Sequence, residues 1–188
     1  MPPSAKANRG PSAGPENRRA LIAAARDVFS TEGIGAPLSS VARRAGVGQG
    51  SLYRHFPDRI ALAAAVFDEN IGDLEVAVDD PGTTLDDLLT LVLEQALVST
   101  ALIDTITAHP HDDRVAHLSE RLGVLVERVV AREKSAGRLG GHVDVEDVVL
   151  AISMLAGVLT RSEPADRSAV GRRAWALFHA AFRPASDP

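Results

Sequence analysis

The chain contains no cysteine. Disulfides, thiolate metal sites and a cysteine nucleophile are therefore excluded. Aromatic residues are scarce, with one Trp, one Tyr and five Phe in 188 residues. Sustained alternation of apolar and polar residues is missing, and with it the pattern of a β-strand. No apolar run approaches the ~18 residues a membrane helix needs, and the N-terminus shows no apolar segment of the secretory kind. A cytoplasmic protein without a membrane partner is the expectation. Gly-rich phosphate loops, a nucleophile elbow and a metalloprotease motif are also absent. Lone acids such as Glu94 have no partner for acid–base work. The chain is therefore expected not to be an enzyme and to need no cofactor. His109, His111 and His117 stand near Asp112 and Asp113, but their spacing fits no strong ligand pattern. A solvated helix start is expected there, and no metal.

What is present is an uneven charge. The net charge of −5 hides a first third with nine Lys/Arg and four Asp/Glu, hence +5, and a remainder with eleven and twenty-one, hence −10. A basic segment on an acidic body suggests that only residues 1–60 meet phosphate. Residues 1–15, rich in Pro, Ser, Gly and Ala, read as a flexible tail made mildly basic by Lys6 and Arg9. Such a tail is either a solvated terminus or an arm that lies along DNA.

The densest information lies in residues 38–56, LSSVARRAGVGQGSLYRHF. Leu38, Val41, Ala42 and Ala45 recur at helical spacing. Gly46 follows where a chain leaving a helix turns left-handed. Val47 can plug the angle to a second helix, with Gly48 as a weak N-cap. Leu52 and Phe56, four apart, give that helix its apolar stripe. The other face carries Gln49, Ser51, Tyr53, Arg54 and His55, all able to hydrogen-bond and none acidic. Such a face suits the acceptor-rich major groove of duplex DNA.

The remaining pattern is helical throughout. A first helix is expected from Glu16 to Glu32, closed by Gly33, with residues 34–37 as a connector. A fourth is expected to start at Pro57-Asp58, where its N–H groups suit a phosphate, and to run to about Val78. Further helices are expected over 84–107, 112–136, 144–161 and 164–182, the last with Pro164 at its start. The fold class is all-α: an N-terminal three-helix module with its helix-turn-helix at 38–56, then a C-terminal helical bundle. The expected division is a tail at 1–15, a DNA-binding domain at 16–60 and a bundle at 61–188.

The segment LSSVARRAGVGQGSLYRHFPDRIAL resembles the DNA-binding segment of the tetracycline-repressor (TetR) family of bacterial transcription regulators. The matching residues are Val41-Ala42, Ala45-Gly46-Val47, Leu52-Tyr53, His55-Phe56 and Arg59, with Ala24-Ala25, Phe29 and Gly33 upstream. The resemblance covers roughly residues 16–67, about a quarter of the chain. Two positions depart from it: Pro37 stands where the family usually has Thr, and Gly48 where it often has Ser. The resemblance implies that Gln49, Gly50 and Tyr53 reach base edges or nearby backbone, and that Ser39, Ser51, His55 and Arg59 contact phosphate. It also implies that the last two helices pair with their copies in a homodimer. Gly157, Trp175, Leu177 and Phe178 are the candidates for that interface. A bundle far larger than dimerisation requires suggests a site for a small, largely apolar effector. Its candidate residues are Gln95, Ser99 and Asp104 on the apolar helix 84–107, and Met154, although Met154, Leu155 and Leu159 also read as core. The expected function is a homodimeric repressor of a pseudo-palindromic operator on double-stranded DNA, released by that effector. The alternative is a DNA-binding adaptor whose bundle grips a protein.

Overall fold

The computed structural model describes residues 13–33 and 35–184; the expected tail, apart from its last three residues, lies outside them. Among the described residues there are eight helices and no strand. They are α1 (Ala13–Glu32), α2 (Leu38–Arg44), α3 (Gln49–His55), α4 (Arg59–Asp79), α5 (Leu85–Thr107), α6 (Asp113–Ser135), α7 (Val145–Arg161) and α8 (Arg167–Phe182).

Three helix starts differ from expectation. α1 begins at Ala13 rather than Glu16, because Pro15 is tolerated in a first turn, where its missing N–H has no intrahelical partner anyway. α4 begins at Arg59, not at Pro57: Asp58 is its N-cap and accepts the Ala61 N–H at 2.6 Å, the stronger start signal of the two. α8 begins at Arg167, not at Pro164. Residues 164–166 form a turn closed by the Asp166 N–H on the Glu163 carbonyl at 2.9 Å. α5 starts with a reciprocal cap, in which the Asp87 N–H meets the Thr84 hydroxyl and the Asp87 carboxylate takes the Thr84 N–H at 2.9 Å.

Three apolar cores hold the helices. The first joins Leu21, Ile22 and Phe29 of α1 to Val41, Leu52, Phe56 and the α4 residues Leu62 and Val66, and is completed by Leu102 from α5. The second is built from α4, α5, α6 and α7, with Leu74, Leu88, Leu125, Val129 and Val148 at its centre. A smaller third joins Leu93 and Ile103 to Leu155 and Leu159, with Phe178 of α8 against it. At Gly171, α8 lies so near α5 that a Cβ there would stand 2.5 Å from the Leu93 side chain.

α5 is bent. Ser99 has φ −107° and ψ 15°, outside the helical region, and its buried hydroxyl has no hydrogen-bond partner among the described residues. Upstream of the bend α5 packs within the bundle; downstream, Leu102 reaches the core of the first module. α6 is tied along α4 by Arg121, whose guanidinium forks onto Glu75 at 3.0 and 2.8 Å and also meets Asp68.

Candidate nucleic-acid interface and effector cavity

The turn between α2 and α3 is built as its sequence suggests. Gly46 takes φ +67°, a region that favours glycine, and the Val47 N–H closes on the Ala42 carbonyl at 2.9 Å. Val47 packs on the first core. Leu52 and Phe56 are buried, which fixes the roll of α3 and turns its other side to water. Gln49, Gly50, Tyr53 and Arg54 are exposed there, Tyr53 by 52%. Ser39 is exposed on α2. The side chains of Ser39, Gln49, Ser51, Tyr53 and Arg54 form no hydrogen bond among the described residues, so their capacity is free for a ligand. Ser51 and His55 are half-buried, the His55 ring lying 6.2 Å from Phe56.

Arg59 departs from the expected phosphate contact. Its Nη2 donates to the Ala36 carbonyl at 2.8 Å, and its guanidinium lies 5.1 Å above the centre of the Phe29 ring. It therefore fastens the start of α4 to the corner between α1 and α2. The start of α4 is not open to a phosphate either, since the Asp58 carboxylate occupies it. A charge-assisted hydrogen bond and a cation–π contact together suggest that Arg59→Ala costs about 2 kcal/mol. The expected result is a melting temperature lower by roughly 4–8 °C for a chain of this size. An unchanged melting curve would return Arg59 to the DNA-facing surface.

A cavity of about 240 Å³ lies among α4, α5, α6 and α7. Phe67, Ile71, Ile103, Val115, Leu118 and Ile152 form much of its wall, and no charged side chain among the described residues lines it. Of the residues expected at an effector site, Gln95 lines it. Ser99, Asp104 and Met154 do not: Ser99 is buried in the bend, Asp104 opens onto a cleft beside the end of α1, and Met154 is 51% exposed on the outer side of α7. Asn70 was not anticipated, although a single amide among Phe67, Ile71 and Leu74 on one helix face is a readable signal. A larger cleft of about 430 Å³ opens where α5 starts and α8 ends. Its Glu133 is paired with Arg138 and its Asp86 with Trp175.

The last two helices leave an apolar face uncovered. Leu150, Met154 and Val158, at i, i+4 and i+8 on α7, are exposed by 57%, 51% and 36%, and Leu177 on α8 by 66%. Leu150 was missed, although its spacing from Met154 shows it. Trp175 does not belong to this face: it is half-buried on the second core, and its Nε1 donates to Asp86 Oδ1 at 2.7 Å. Phe178 is half-buried on the third core and stacks on Phe182 at 6.4 Å. Gly157 is half-buried, with the Arg161 guanidinium beside it.

The family model "Bacterial regulatory proteins, tetR family" matches residues 21–66, from α1 through the turn into α4. Over those residues the chain is similar to the tetR family. The HTH-type transcriptional regulator AcrR of Shigella flexneri is 32% identical over 91 residues, a match that spans 44% of this chain and 42% of that protein. A TetR transcriptional regulator of Streptomyces coelicolor is 26% identical, with 90% of this chain and 99% of that one covered at a TM-score of 0.66. A TetR-family regulator of Pectobacterium atrosepticum, 21% identical, shares the fold at a TM-score of 0.63 over 93% and 98% of the two chains.

Two side chains connect the cavity walls to the helix-turn-helix module. Arg26 of α1 donates to Asn70 Oδ1 at 2.7 Å and pairs with Glu69 at 3.5 Å. Arg114, next to the cavity-lining Val115, meets Asp58 at 3.2 Å, three residues beyond the end of α3. Arg114 also grips Asp112 and holds that carboxyl down to about 2. His109 lies nearby, its Nδ1 2.8 Å from the Thr105 carbonyl.

Proposed function

We propose that this TetR-family chain is a homodimeric transcriptional repressor that binds a pseudo-palindromic operator. Residues 16–60, backed by the first turns of α4, act as the DNA-binding part; the bundle to residue 188 binds an effector and dimerises. The observation that carries the reading is α3. Its apolar side is locked into the first core, while Gln49, Tyr53 and Arg54 stand uncommitted on the other. A helix held by its back with a donor-rich front enters a major groove. Arg43 and Arg54, both exposed near this face, supply positive charge for phosphate.

The apolar cavity favours a small-molecule effector over a protein partner, and Arg114–Asp58 gives it a route to the DNA-binding part. A ligand that moves the start of α6 shifts Asp58 and, through it, the end of α3. Coupling of this kind is typically ~1–3 kcal/mol, a roughly 5–150-fold loss of operator affinity, and DNA must weaken the effector by the same factor.

The test is selection of duplexes from a random pool by the purified protein. The winning duplex is then measured against a scrambled one. Gln49→Ala and Tyr53→Ala are each expected to cost about 1–3 kcal/mol on the selected duplex and little on the scrambled one. Enrichment of no sequence, or equal losses on both duplexes, would remove the assignment of α3 to the groove.

A further inference from the structure

Two amide side chains, Asn70 and Gln95, line the cavity, and their chemistry is determined by bonds already made. Asn70 is 5% exposed, and its Oδ1 accepts from Arg26 Nη2 at 2.7 Å. A guanidinium has only donors, so the Asn70 amide has one possible orientation and its Nδ2 faces away from Arg26. Nδ2 forms no hydrogen bond among the described residues, and Asn70 lines the cavity. Gln95 is constrained in the same way. Its Nε2 donates to the Asn70 backbone carbonyl at 3.1 Å, which can only accept, so its Oε1 is left as a free acceptor. The hydroxyls on the wall are spent as donors: Thr107 gives its proton to the Ile103 carbonyl at 2.9 Å, Ser119 to Val115 at 3.1 Å and Ser153 to Val149 at 2.9 Å. Asn70 Nδ2 is thus left as a donor and Gln95 Oε1 as an acceptor on two residues that line the cavity, beside hydroxyl oxygens that can still accept.

We propose that Asn70 and Gln95 are the specificity-determining pair of this cavity, and that they select a neutral amphiphile bearing a primary carboxamide, or a like pair of adjacent acceptor and donor, on an apolar body. The ligand carbonyl accepts from Asn70 Nδ2, and the ligand N–H donates to Gln95 Oε1. An ionised carboxylate is excluded for two reasons. Gln95 Oε1 offers it a lone pair where it needs a proton, and the wall holds no cation among the described residues to offset its desolvation. Arg26 lies behind Asn70, outside the lining, with Glu69 as its partner. This inference rests on the effector reading above.

The experiment is calorimetric titration of the full chain with octanamide, N,N-dimethyloctanamide and octanoate, which share one chain length and differ in the head. Octanamide is expected to bind roughly tenfold more tightly than the dimethyl amide, by the worth of one buried hydrogen bond, and octanoate more weakly still. Asn70→Asp keeps a carboxyl oxygen for Arg26 but removes the donor, and is expected to weaken octanamide about tenfold. Gln95→Met tests the acceptor alone should the first variant fail to fold, with the same expected loss. Thermal unfolding without ligand shows which variants are folded. Three equal affinities, or octanamide binding unchanged in a folded variant, overturn the inference and leave an unselective apolar effector site. Binding by none of the three overturns the inference too, and an operator affinity insensitive to every small molecule tried would remove the effector reading beneath it.

Discussion

Leu177→Asp, or Leu150→Asp, is expected to give a folded monomer that no longer holds its operator. Leu177 is 66% and Leu150 57% exposed in the single chain, so a carboxylate at either place stays hydrated in the monomer and leaves its fold intact. In a dimer the same carboxylate lies in an apolar interface core, desolvated and without a partner, which costs several kcal/mol at a site repeated by symmetry. The effect on DNA follows from geometry. A dimer holds two half-sites about one helical turn apart, ~34 Å, and its second contact is effectively intramolecular. Losing that advantage lowers affinity by about 10²–10⁴. The measurements are light scattering for mass, circular dichroism for folding and a binding titration on the selected duplex. A dimer with normal affinity in both variants would move the interface away from α7 and α8. Phe178→Asp is a poorer test, because Phe178 packs on the third core and its loss damages the monomer itself.

Operator affinity is expected to fall steeply with salt. The whole chain is acidic, but the first 60 residues carry a net +5, doubled in a dimer. If about six phosphates are neutralised, the slope of log affinity against log salt is near −5, and raising salt from about 50 to about 200 mM costs about 10³ in affinity. The structure narrows which cations supply this slope. Arg44 is paired with Asp27, and Arg59 is bonded to the Ala36 carbonyl, whereas Arg43 and Arg54 are exposed. Arg54→Ala is thus expected to reduce the slope by about one per half-site. A slope near zero in the unmodified protein would refute phosphate binding by this module.

The all-α class and the turn at 46–48 were legible because they depend on short-range rules. Gly46 is needed where the backbone turns left-handed, and the spacing of Val41, Ala42, Leu52 and Phe56 states which faces are apolar. The exposed front of α3 follows directly, since burying Leu52 and Phe56 leaves Gln49, Tyr53 and Arg54 nowhere else to point. Periodicity also gave the bundle its helices, to within a few residues at each start. It failed wherever a helix is apolar around most of its circumference. α5 is such a helix, so nothing local separates Gln95, which lines the cavity, from Ser99 in the bend or Asp104 on another face.

Long polar side chains were the other loss. Arg59 and Trp175 carry groups that suit DNA or an interface, yet both are committed to partners distant in sequence, Ala36 and Asp86. Asn70 acquires its meaning only because Arg26 approaches from α1 and Gln95 from α5. The sequence by itself determined the helices, their apolar faces and the exposed polar front of α3, because each depends on residues a few positions apart. Which face lines a cavity, which cation is spent inside the protein and which leucines remain uncovered were decided by the tertiary structure alone, because a helix does not specify the neighbour that will lie against it.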